Sequence, residues 1–361
     1  IILKLNEKKI KKSYFEMRLR VLQSFYRPFC SSAGAPVAAA TASNFMEMEK
    51  RVAEVQSELK ELYQAARYTE ALDLATSFSS HVEEHFGEDH PVSASFYNNR
   101  ALMHRSMGQY EDAMPLYERA LRAYEKVVGK EHPSTTTCLS NMSYLCKTLA
   151  TSGSVGGVEK LAMLERAREY GEQALENKKA LSMPEHPDVA IAAYNLGAVL
   201  VEMRSFERAK VHLDDALALL RKRFGDQDHR LTATALNNVA VCLKREAEHS
   251  MKPSSPVDEA VGASSARSAA EELDVRASAV TTLNAARTAY DEALGMRTRL
   301  LGDAHPDTLA SRHNVAELCE TLSVTVVDSV ERDQHASEAH AIRLGILETL
   351  EADEVAQKEE T

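Results

Sequence analysis

The sequence predicts an all-α chain built as an array of stacked helix pairs, and three observations carry that expectation. A His followed nine residues later by an Asn recurs five times, as His90 and Asn99, His132 and Asn141, His186 and Asn195, His229 and Asn238, and His305 and Asn314. Within each recurrence, apolar residues keep the three-and-four spacing of helices and are interrupted by turn residues. The composition agrees: the chain has no Trp and its apolar content is largely Ala and Leu, which suits burial between neighbouring repeats rather than around one centre.

One unit can be read from Phe86 to Leu121. After His90-Pro91, the residues Tyr97, Ala101, Leu102 and His104 hold helical spacing, Gly108 breaks it, and Ala113, Leu116, Tyr117, Ala120, Leu121 and Tyr124 resume it. That spacing predicts a helix, a tight turn and a second helix. Gly87, Gly129, Gly225 and Gly302 stand where a helix C-terminal cap belongs, and the Pro that follows most of the boundary His residues suits the first turn of the next helix. The steps between successive His residues are 42, 54, 43 and 76, so a unit near 42 occurs twice intact and twice with an insertion.

In chain order, residues 1–45 carry eight basic and two acidic side chains, leaving −17 on the remainder of a chain whose net charge is −11. From Met17, a plausible start, to Phe45 there is no acid, while Arg18, Arg20 and Arg27 alternate with apolar residues ahead of a Ser/Ala-rich stretch. This is the composition of a mitochondrial presequence. A disordered basic arm is the alternative. Residues 46–78 read as a first, degenerate pair with a polar outer face. Insertions are expected near 150–160, where Thr151 to Val158 is Gly-rich without the spelling of a phosphate loop, and at 249–272, which is rich in Ser, Ala and Pro. Helix resumes by Ala285, a sixth unit starts at Asp307 and ends near Leu350, and 351–361 forms an acidic tail.

The residues Ala101, Tyr110, Ala113, Tyr117 and Ala120 resemble the small and aromatic positions of the tetratricopeptide repeat. The longer G-x-x-H-P-x(7)-N-x-A spelling resembles the kinesin light chain variety of that repeat. The resemblance covers roughly 46–350. It implies a right-handed α-solenoid of about six helix pairs, whose first helices line a concave groove, and a role as a binding scaffold.

Candidate chemistry is sparse. Cys146, Cys242 and Cys319 follow their repeat's Asn by four or five residues and read as small apolar core residues; no metal-binding Cys pattern is present. The five boundary His residues lie one repeat apart and cannot converge on one ion, so they read as caps or packing at the turn. His81 and His85, four apart, read as a solvated face. No nucleophile, cofactor or metal motif is recognisable, so the chain is read as non-enzymatic, with no cofactor.

The repeated Asn supplies a different chemistry. A carboxamide both donates and accepts, so a ladder of Asn99, Asn141, Asn195, Asn238 and Asn314 can hold the backbone of an extended peptide. The resemblance implies that these face the groove, with Asn98, Ser140, Tyr194, Asn237 and His313 before them setting specificity. Stacking of repeat on repeat is the competing role, and both can coexist. A groove that clamps carboxylates needs Lys and Arg at matching places on successive first helices, and none are expected.

The sequence therefore reads as a scaffold that binds a protein segment in its groove, as subunit or assembly factor of a mitochondrial complex such as a ribosome, an RNA-processing complex or a respiratory complex. Its acidic body disfavours direct nucleic-acid contact, and no stretch is apolar enough to span a membrane. A cytosolic cargo adaptor resembling kinesin light chain is the alternative. No long heptad coiled coil precedes the repeats to support it.

Overall fold

The computed structural model describes residues 35–153, 155–183, 185–252 and 268–359. Twelve helices and no strand occur among these residues. The presequence reading falls on residues outside the described ones, apart from the start of the first helix. The chain divides into two compact units, residues 1–82 and 83–361.

The first unit holds α1 (Ala35–Gln64) and most of α2 (Tyr68–Phe86). A tight turn joins them, in which Ala66 takes φ 57° and the Arg67 amide donates to the Leu62 carbonyl at 2.9 Å. Val55, Leu59, Ala71 and Ala75 are buried. His81 and His85 are exposed, as a solvated face requires.

The second unit is a run of five helix pairs: α3 (Pro91–Ser106) and α4 (Tyr110–Val127), α5 (Pro133–Thr151) and α6 (Gly157–Leu181), α7 (Pro187–Glu202) and α8 (Phe206–Phe224), α9 (Arg230–Ser250) and α10 (Ala269–Leu301), α11 (Pro306–Thr325) and α12 (Ser329–Glu359). Local chemistry sets the boundaries. Each boundary His is the N-cap of a first helix, and its Nδ1 accepts from the backbone N–H two residues on, at 3.1–3.2 Å for His90, His132, His186, His229 and His305. A side-chain cap of this kind contributes about 1 kcal/mol. Gly87, Gly129, Gly225 and Gly302 end the preceding helices with φ between 61° and 95°, which a side chain would oppose. At the turn inside each pair, Gly108 has φ 76°, and its counterpart Arg204 takes φ 58° without that freedom.

Helix α10 begins at Ala269, within the last residues of the expected 249–272 insertion and ahead of Ala285, by which helix was expected, because Ser268 and Glu271 form a capping box. Its first two turns are exposed, so apolar periodicity gives no warning of them. At the other end, α12 continues through the acidic stretch to Glu359.

Packing follows from one register of small residues. Ala101, Ser143, Gly197, Ala240 and Ala316 each lie eleven residues after their boundary His, and all are buried. At Gly197 the approach is closest: a Cβ there lies 2.7 Å from Leu213 Cγ and Cδ2 of α8. The apolar side chains fill the seams between helices. One cluster unites α3, α4 and α5 through Tyr97, Tyr117, Met142 and Leu145. Others unite α7–α9 and α9–α12, with Leu217 and Val241 packed against both. Burial is thus a chain of neighbour contacts, as in a solenoid.

The four described cysteines, Cys138, Cys146, Cys242 and Cys319, are free thiols and all buried. Burial pushes their thiols up, to about 12 for Cys138 and Cys242 and about 11 for Cys146 and Cys319, so without a metal or other partner for the thiolate they are protonated at neutral pH.

Candidate functional site

Besides touching its own pair-mate, each first helix in the second unit packs on the next first helix, α3 on α5, α5 on α7, α7 on α9 and α9 on α11. No two second helices come comparably close among the described residues. The first helices therefore form one wall, and their register decides which side chains it presents.

The amide ladder is divided between two tasks. Asn141 Nδ2 donates to Asn98 Oδ1 at 3.1 Å, and Asn314 Nδ2 donates to Asn237 Oδ1 at 2.8 Å. In both cases the repeated Asn of one helix bonds the residue before the repeated Asn of the preceding helix. Asn99, Asn195 and Asn238 are half-buried, make no side-chain hydrogen bond among the described residues, and keep their amide atoms in contact with solvent. The preceding-helix counterparts of Asn195 and Asn238 are Ser140 and Tyr194. Ser140 Oγ donates back to the Thr136 carbonyl at 3.0 Å. Tyr194 is buried, and burial raises its hydroxyl above the ordinary value. His313 is exposed, with Nε2 3.3 Å from Glu317 Oε1.

The wall also carries cations that the sequence reading missed. Arg105, Lys147 and Lys244 each lie fifteen residues after their boundary His. Matching cations on the successive helices α3 and α5 therefore exist, contrary to the expectation above, and each stands six residues after the repeated Asn of its helix. Arg105 sits 4.7 Å and Lys147 5.1 Å from the centroid of the Tyr144 ring. Tyr144 is 45% exposed. No carboxylate lies within ion-pair distance of either cation among the described residues. Burial pulls the Lys147 ammonium below its ordinary value, and Glu202 opposes that shift. The fate of Lys244 is different: its Nζ lies 2.9 Å from Glu317 and 3.7 Å from Glu248. One end of the wall thus offers unpaired positive charge around an aromatic face, and the other is neutralised or acidic.

One tetratricopeptide repeat family model matches residues 93–134 and 283–307, and a second such model matches 158–222. The chain carries tetratricopeptide repeats over these stretches. It is 26% identical over 191 residues to a clustered mitochondria protein homolog of Meyerozyma guilliermondii, covering 51% of this chain and 14% of that protein. The human clustered mitochondria protein homolog is 26% identical over 145 residues, 39% of this chain and 10% of its own length. The chain thus spans only a small part of these relatives. Among solved structures, BtubC from P. vanneervenii has a TM-score of 0.47 at 18% identity, covering 80% of this chain and 92% of its own. A Podosopora anserina putative kinesin light chain with nearly identical TPR-like repeats has a TM-score of 0.46 at 15% identity, covering 70% and 96%. No helix among the described residues is long and apolar enough to cross a membrane.

Proposed function

We propose that this array is a non-catalytic scaffold whose wall of first helices holds an extended, acidic protein segment, in an assembly that works at mitochondria. The observation that carries the reading is the exposed Tyr144 ring between Arg105 and Lys147, two cations with no carboxylate within ion-pair distance among the described residues. An acidic side chain laid against this patch gains two charge-assisted contacts, and an aromatic neighbour gains the Tyr144 face. The free amides of Asn195 and Asn238 continue the track by bonding peptide backbone without regard to sequence. Glu317 and Glu248 at the far end favour a basic residue there, which gives the segment a direction. The mitochondrial part of the reading draws on relatives that carry the name clustered mitochondria protein homolog, and it fits the cytosolic face as well as an imported complex.

The test is fluorescence polarisation with a panel of labelled extended peptides, acidic, neutral and basic. Acidic peptides should bind best, Lys147→Glu should weaken them at least tenfold, and Asn195→Ala with Asn238→Ala should weaken all peptides alike while helicity and melting stay near those of the parent. Charge-independent binding that survives Lys147→Glu refutes the acidic-segment reading. Protease protection of a tagged chain in isolated mitochondria distinguishes an imported subunit from one on the cytosolic face.

A further inference from the structure

Away from the wall, the last two helices bring together three side chains of a kind that bind metal. Cys319 lies on α11, and His335 and Glu338 lie three residues apart on one face of α12. One ligand atom from each falls within 4.8 Å of the others. Nδ1 of His335 is buried with no hydrogen-bond partner, a cost that a structure normally avoids. The cluster already holds one cation: Arg287 of α10 donates from Nη1 to Cys319 Sγ and to Glu338 Oε2, both at 3.1 Å, and from Nη2 to Glu338 Oε1 at 2.5 Å. The same guanidinium keeps a separate partner, because its Nε donates to both Asp291 oxygens at 3.0 and 2.8 Å.

We propose that Cys319, His335 and Glu338 form a binding site for Zn²⁺ or a chemically similar divalent ion, with Arg287 holding the place of the ion until it arrives. The donor set of one sulfur, one nitrogen and one oxygen suits borderline ions of the zinc type rather than Mg²⁺ or Ca²⁺. Tetrahedral ligands at about 2.0–2.3 Å from the ion lie roughly 3.5 Å apart, so from separations of up to 4.8 Å the three side chains close by at most about 1.3 Å. Water takes the fourth position, reached from the half-exposed side of Glu338. On binding, the Cys319 thiol releases its proton to solvent, and thiolate and carboxylate together neutralise the ion. Arg287 leaves both and retains Asp291. The ion then fastens α12 to α11. This inference is independent of the peptide-binding reading.

The experiment is titration of the full, chelator-treated chain with Zn²⁺ against a chromophoric chelator, and with Co²⁺ read by absorption. The expected result is one tight site, a thiolate-to-cobalt charge-transfer band, and a melting temperature that rises with Zn²⁺. Cys319→Ser should abolish the band, and His335→Gln should weaken binding at least tenfold. Arg287→Gln, which removes the competing cation, should tighten binding several-fold. Melting of each variant in chelator reports whether it folds, and the half-exposed His335→Gln carries the test should Cys319→Ser fail to fold. Absence of the cobalt–thiolate band in the parent chain, parental affinity in His335→Gln, or weaker binding in Arg287→Gln overturns the proposal.

Discussion

Removing the amide of Asn141 tests whether the Asn ladder fastens repeat to repeat. Its Nδ2 donates to Asn98 Oδ1 at 3.1 Å between two half-buried side chains. A neutral hydrogen bond contributes about 1 kcal/mol net, and leaving one half-buried partner unpaired costs about as much again where water cannot reach it fully. Asn141→Ala should therefore cost about 1–2 kcal/mol. In a double-mutant cycle with Asn98→Ala the two losses should fall short of additivity by about 0.5–1.5 kcal/mol. Asn195 supplies the internal control, because its counterpart on the preceding helix is Ser140 and no amide bond links them. Asn195→Ala should cost about 0.5 kcal/mol or less. Urea unfolding followed by circular dichroism measures all four, with m-values checked because stacked repeats can unfold in parts. Equal losses at Asn141 and Asn195, or additive losses in the cycle, would refute the division of the ladder into stacking and free amides.

The remaining predictions concern packing and pH. Gly197→Ala places a Cβ 2.7 Å from Leu213; overpacking of about 1–3 kcal/mol outweighs a helix-propensity gain of at most about 1 kcal/mol, so the melting temperature should fall. Burial lowers the pKa of His90, His132 and His229 below the ordinary 6.5, and each Nδ1 accepts its capping hydrogen bond only when neutral. A base whose folded pKa is depressed binds fewer protons folded than unfolded, so its contribution is present above about 6.5 and is lost as pH falls through the range below it. Melting temperature should therefore drop between pH 7.5 and 5.5. Replacing the three residues by Asn, which caps without titrating there, should flatten that part of the profile.

Helix boundaries were legible in the chain because their causes are local. A boundary His bonds an amide two residues away, a Gly accepts a left-handed φ at its own position, and the small residue eleven positions on sets how near the next helix comes. The start of α10 was equally local, in Ser268 and Glu271, but its first turns are exposed and carry no apolar periodicity. The wall's chemistry was not legible in the same way. Asn141 and Asn195 hold the same register, as do Lys147 and Lys244, yet one of each pair is bonded and the other free. The sequence by itself determined that helix pairs stack in one register with an Asn and a cation recurring along the first helices. Only the tertiary structure decided which of those groups are spent on neighbours, because the partner stands 43 residues away for Asn141 and 73 for Lys244, and the axial offset and rotation of packed helices determine whether it comes within reach.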